Sequence, residues 1–369
     1  MVKKTLQTQI EHYITIILLT LFTFAVQSCS EEIISDDANQ ISFETSVQDN
    51  VNFTRATIFE NQNDILNDAA DGKGGGNLTM YAYISNEEAV RFKSRAWYFN
   101  NVWRFYDASS NKFYNHYWPN ERMDFFAYMP WDGSGKQNMI TVGTHTPSID
   151  ENPGGLNITC NIPEQINLED TEGQETIIAY TPNKHKETVN LYFVHPFAAV
   201  NFELKQAHRN LTINRIRFNN VYLTGTTTLN ATTDNNTKIS WTVPDDTRPS
   251  TFTIQVGKTI PTDINFGAKI GGPYLVMPQS FGKGTILPND DITITINYTW
   301  DDDGNNKFDP DDTKDLVSSI TVKGVDKWES GKKYNYVLDL GDNKEEILFN
   351  VEVEPWVVTG GNNNIFEVE

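Results

Sequence analysis

From about residue 41 onward, apolar side chains recur at every second position in short runs, and Gly, Asn, Asp and Pro clusters separate the runs. Period two is the signature of half-buried β-strands rather than helices. The clearest runs are Ile292-Ile294-Ile296-Tyr298-Trp300 and Tyr334-Tyr336-Leu338-Leu340, with mostly polar residues between. Ile347, Phe349, Val351 and Val353 alternate with Asn350, Glu352 and Glu354 in the same way. Further strands are predicted at Met80–Ile84, Asp124–Met129 and Thr251–Val256. Few windows show a helical period; Asn61–Ala70 is the best candidate, and it is short. The spacing predicts an all-β chain of β-sandwiches, each with two sheets closing over one core.

Val189–Leu204 refines this picture. Val189, Leu191, Phe193 and His195 share one face, but after Pro196 the apolar face moves to Ala198, Val200, Phe202 and Leu204. A one-residue change of register implies a bulge or a strand crossing between sheets. Residues 165–188 just before it are mostly polar apart from Thr176–Tyr180, so a domain boundary is expected near residue 185. The two domains expected are residues 41–185 and 186–369.

The N-terminus carries an address. Lys3 and Lys4 precede the apolar run Tyr13–Val26, which is too short for a membrane-spanning helix. Val26-Gln27-Ser28-Cys29 resembles a bacterial lipoprotein cleavage box, in which residues 1–28 are removed and Cys29 is acylated, for example with palmitate. The plain alternative is a secretory signal with an incidental cysteine. Ser30-Glu31-Glu32 resembles the acidic tether of surface-exposed outer-membrane lipoproteins, and residues 29–40 would be that tether.

Charge and cysteine content narrow the partners. The 369-residue chain has a formal charge of −20, which excludes nucleic acid as an expected partner and leaves an acyl chain as the means of reaching a membrane. With 38% hydrophobic and 12% aromatic residues, core packing has ample material. Of only two cysteines, Cys29 is committed to lipid, so Cys160 is expected as an unpaired, semi-buried apolar residue.

Six local patterns, in order over nearly the whole chain, resemble the fimbrillin family, the lipoprotein-precursor subunits of type V pili. They are Ile41-Ser42-Phe43 with Phe53-Thr54-Arg55-Ala56-Thr57; Tyr117-Trp118-Pro119 with Met123–Pro130; Val189–Ala198, where Pro196 replaces the family's Ala; Leu275-Val276-Met277-Pro278-Gln279; Trp328-Glu329-Ser330-Gly331-Lys332-Lys333-Tyr334; and Phe349–Trp356. The resemblance implies two tandem transthyretin-like β-sandwich domains and maturation by strand exchange. A trypsin-like, arginine-specific protease would cut after Arg55, leaving Ala56 as the new N-terminus and freeing residues 41–55. The vacated groove would take a donor strand from another pilin subunit. The candidate donor here is 347–369, with Phe349, Val351, Val353 and Trp356 as its inward side chains. On this reading the chain is a fimbrial subunit contributing to adhesion, at the outer membrane and cell surface.

Other constellations carry less. Asp301, Asp303, Asn305, Asp309 and Asp312 fall at positions 1, 3, 5, 9 and 12 of a calcium-loop pattern. Asn306 replaces the usual Gly, and the last ligand is Asp rather than Glu; a solvated acidic hairpin loop is the alternative. His116, His145, His185, His195 and His208 show no zinc spacing, and His195 is expected as a packed core histidine. No phosphate loop or nucleophile elbow is present, so an enzyme is not expected. The aromatic stretch from Trp97 to Trp118 reads as core and hairpin, but also supports a rival: a monomeric, anchored glycan-binding lipoprotein. A non-polymerising adhesin in which Arg55 is never cut is a third reading.

Overall fold

The computed structural model describes residues 39–47, 77–134, 138–147, 154–167, 176–206, 211–230, 239–244, 249–260, 268–281, 292–301, 313–319, 326–339 and 348–355. These residues form strands and their connections, with no helix among them. The first strands are β1 (Phe43–Val47), β2 (Asn77–Ile84), β3 (Val90–Phe99), β4 (Val102–Asp107), β5 (Lys112–Tyr114), β6 (Met123–Met129), β7 (Ile140–Thr146), β8 (Gly155–Asn161), β9 (Gln165–Asn167), β10 (Ile177–Lys184) and β11 (Val189–Phe193). There follow β12 (Ala198–Gln206), β13 (Leu211–Val221), β14 (Thr224–Leu229), β15 (Ser250–Ile260), β16 (Ala268–Val276), β17 (Gln279–Ser280), β18 (Thr293–Trp300), β19 (Thr313–Ser319), β20 (Lys327–Trp328), β21 (Lys332–Asp339) and β22 (Leu348–Pro355). Every strand expected from alternation is present. The expected helix, Asn61–Ala70, lies outside the described residues.

The first large sheet is antiparallel, in the order β10-β6-β2-β3-β4-β5. Its β3–β4 hairpin turns through Asn100 and Asn101, with φ of 52° and 62°. Asparagine tolerates this left-handed backbone, and two such residues match the right-handed strand twist. One face of the sheet packs Leu78, Met80, Ala82, Ala96, Phe105, Phe125 and Ala127 into a core closed by β1 and β11. Part of the other face, including Phe126, Tyr128 and Ile178, joins a second, larger core. Covered on both sides, β6 is buried at all seven positions, which is why Met123–Met129 reads as an apolar run rather than an alternation.

The larger core lies between two sheets, β16-β12-β21-β22 and β19-β18-β13-β15-β9. Phe202, Phe218, Phe252, Trp328 and Tyr336 fill it, with Phe218 edge-on to Trp328 at 5.2 Å. The register change after Phe193 is a crossing between sheets: β11 pairs with β1, whereas β12 lies between β16 and β21. A smaller sheet, β14-β8-β7, joins strands from either side of residue 185, as does the β9–β15 pair.

Candidate functional site

The geometry most relevant to strand exchange is the seat of β1. Ile41, Phe43 and Thr45 point inward and are buried, while Ser42 and Glu44 face solvent. β1 runs parallel to β11, from Phe43 opposite Val189 to Val47 opposite Phe193. The Val189 N–H donates to the Ser42 carbonyl at 2.9 Å. On the other flank the Ile41 N–H donates to the His116 carbonyl, also at 2.9 Å. The two residues leading into the strand are therefore hydrogen-bonded to both flanks. The Phe43 ring sits 5.6 Å from Trp103 and 5.5 Å from Phe105, within the range of favourable aromatic pairs. The Trp103 indole N–H donates to the Thr45 hydroxyl at 3.2 Å.

His116, beside the seat, stacks on Phe92 at 3.6 Å, and its Nε2 lies 2.8 Å from the Ser94 hydroxyl. Burial, helped by the charge of Arg91, pushes its pKa down to about 4. The imidazole is consequently neutral near pH 7. Withdrawal of β1 would uncover apolar pockets for Ile41 and Phe43 and the unpaired edge of β11, the two elements a strand acceptor needs.

On the opposite face of the same sheet, Asp124 is fully buried among donors. Its Oδ1 accepts from the Ser85 hydroxyl at 2.5 Å and the Asn183 N–H at 2.8 Å; its Oδ2 accepts from Tyr180 at 3.2 Å and lies 2.9 Å from His145 Nε2. The other His145 nitrogen is 2.7 Å from the Glu87 carbonyl, which can only accept. Both ring nitrogens therefore face oxygens, one of them the Asp124 carboxylate. Burial alone raises the Asp124 pKa, but hydrogen bonds from His145, Ser85 and Asn183 outweigh it and hold the carboxyl below its ordinary value. Tyr83 stacks on His145 at 4.4 Å. The cluster braces β2, β6, β7 and β10 together.

The sequence-derived site residues divide as follows. Cys29, Arg55, Ala56, Asp303, Asn305, Asp309, Asp312 and Trp356 lie outside the described residues. Asp301 is buried at the end of β18. Phe349, Val351 and Val353 lie on β22, whose backbone pairs antiparallel with β21 opposite Leu338, Tyr336 and Tyr334. Cys160 is a free, fully buried thiol whose pKa burial pushes up to about 12. In the aromatic stretch Trp97, Phe105, Tyr106 and Trp118 are buried, as a core and hairpin require, and His195 is buried too.

Sequence reasoning gave Trp103, Thr45 and His116 no place beside β1 and did not find the Asp124–His145 pair. Asp124 left a readable trace, as the single carboxylate within the apolar run Met123–Met129. Trp103 and Thr45 left none, since their contact spans 58 positions.

Residues 54–356 match the family model described as Fimbrillin-like. Among solved structures, a fimbrial protein from Bacteroides vulgatus shares this fold with a TM-score of 0.50 and 16% identity, over 86% of this chain and 99% of its own. The tip fimbrial protein Mfa3 from Porphyromonas gingivalis, with a C-terminal truncation, aligns with a TM-score of 0.39 and 11% identity, over 85% of this chain and 99% of its own. No curated protein sequence matches the chain.

Proposed function

The chain belongs to the fimbrillin-like family, and from that membership we propose that it is a subunit of a cell-surface fimbria with a role in adhesion. The precursor is exported as an outer-membrane lipoprotein acylated at Cys29. An arginine-specific protease cuts after Arg55, and the subunit then polymerises with other pilin subunits by strand exchange. The observation supporting this reading is the seat of β1: a short strand N-terminal to Arg55, with Ile41 and Phe43 buried in the core of a body built from residues far along the chain. Such a strand completes the fold while attached and leaves a defined vacancy once cut free. Lipid and plug share one connection, so a single cut would release the subunit from the membrane and open it to a neighbour.

The donor comes from 347–369 in this scheme. Because β22 already pairs with β21, Phe349, Val351 and Val353 would have to leave β21 or lend their other edge, and the chain beyond Pro355 would extend the donor. Two roles for one strand is the cost of this arrangement. A calcium ion held by Asp301, Asp303, Asn305, Asp309 and Asp312 is an accessory proposal on spacing alone.

N-terminal sequencing of sheared surface filaments tests the scheme. A product beginning at Ala56 is expected, and Arg55→Ala should leave a lipidated monomer. Normal filaments from the Arg55→Ala variant would refute processing at this site.

A further inference from the structure

A cleft of about 410 Å³ opens beside the turn between β20 and β21, bounded by Tyr222, Trp241, Gln279, Trp328 and the Lys327–Lys332 segment. Its volume falls within the roughly 300–1,000 Å³ usual for small-molecule sites. We propose that this cleft binds an acidic saccharide, a sugar ring carrying a carboxylate. The proposal names a ligand class for the adhesive role, rests on that reading only for its biological meaning, and is independent of strand exchange.

One wall is a fixed aromatic plate. The Trp241 indole N–H donates to the Pro196 carbonyl at 2.7 Å, and its ring lies parallel to Phe197, 3° from coplanar with centroids 5.9 Å apart. Trp241 lines the cleft and Phe197, behind it, does not. A flat, half-buried indole suits the C–H face of a pyranose, which is apolar across its ring and polar at its rim.

The lining also carries charge. Glu329 is held between Lys327 at 3.2 Å and Lys332 at 2.8 Å, leaving one surplus positive charge among these three groups. In a chain of net charge −20 that local excess runs against the overall field. Each ammonium has three N–H donors, and Glu329 takes one from each. A single added carboxylate would balance the wall. A neutral sugar would leave the surplus charge unused, and a polyphosphate would overfill it.

The cleft is also built in advance. Ser330 Oγ lies 2.9 Å from the carbonyls of both Pro196 and Ile239, and the Gly331 N–H donates to the Phe197 carbonyl at 2.9 Å. Gly331 turns with φ of 70°, a conformation that glycine adopts without strain. Gln279 is clamped to both backbone groups of Tyr222, and the buried Trp328 donates its N–H to the Tyr336 hydroxyl at 2.9 Å. Binding therefore requires little ordering of the walls, which favours affinity.

The test is isothermal titration calorimetry of the purified full chain with galacturonic acid oligomers and N-acetylneuraminic acid, against glucose oligomers and inorganic phosphate. Saturable binding of an acidic sugar is expected, weaker by about tenfold or more in Trp241→Ala and in Lys332→Gln. Lys327→Gln, at a more exposed position, supplies a variant that tests the charge without the turn. Equal affinity for neutral sugars, displacement by phosphate, or no change in the variants would overturn the assignment; so would the absence of saturable binding in the millimolar range. Filament assembly by Trp241→Ala is expected to be unaffected, which separates failure of this site from failure of the pilin reading.

Discussion

Replacing Phe43 with alanine probes the seat of β1 directly. The side chain is 6% exposed and wedged between Trp103 and Phe105. Phe→Ala at a buried site costs roughly 3–5 kcal/mol, part of it lost transfer energy and part the cavity left behind. Five residues paired to one neighbouring strand form a small unit, so the loss should appear as local release of β1 before the whole body unfolds. The Val189 amide reports that release, because its N–H donates to the Ser42 carbonyl. At about 1.4 kcal/mol per tenfold change, hydrogen exchange at Val189 should accelerate by about 100-fold or more in the uncleaved Phe43→Ala chain. Glu44→Ala, on the solvent face of the same strand, should change it by no more than about threefold. If Phe43→Ala left Val189 exchange within that same margin, β1 would not be held by its buried face, and the vacancy argument would lose its energetic basis.

Three further outcomes can be measured. Asp124→Asn strands the imidazole of His145 without its carboxylate and should destabilise the fold by roughly 3–5 kcal/mol in urea denaturation. Because the folded Asp124 pKa is depressed, its stabilisation is complete above the unfolded value of about 3.9 and is lost as pH falls through the folded value; an Asp124→Asn chain that kept the full acid sensitivity of the parent would contradict this. Cys160, buried and with its thiol pushed up to about 12, should resist iodoacetamide at pH 8 in the native chain and react once denatured, since only the thiolate attacks; rapid native labelling would show otherwise. Finally, if the 301–312 loop holds calcium, EDTA should lower the melting temperature and added calcium restore it, and no shift in either direction removes the metal from the account.

Local physics made much of the fold legible. Alternation at Ile292–Trp300 and Tyr334–Leu340 marks strands whose two faces meet different surroundings, and β18 and β21 lie there. The slip of the apolar face across Pro196 marked a bulge or a change of sheet, and the separate sheets of β11 and β12 decide for the latter. At β6 the alternation signal vanished, since cores press on both sides. The cleft near Trp328 was half visible: the Trp328–Tyr334 motif could be read, but Trp241, which also lines it, stands 87 positions earlier with no local sign of partnership.

The one-dimensional chain determined the strand identities, the all-β class and the net negative charge, because period, charge and turn residues are properties of neighbours. Only the folded molecule decided that Phe43 meets Trp103 and Phe105 and that β1 runs beside a strand near residue 190. It alone also brought His145 to Asp124, and Lys327 and Lys332 around Glu329 beside Trp241. Such contacts join segments whose spacing along the chain carries no periodicity, so their energies are settled by packing and desolvation after the sheets have assembled.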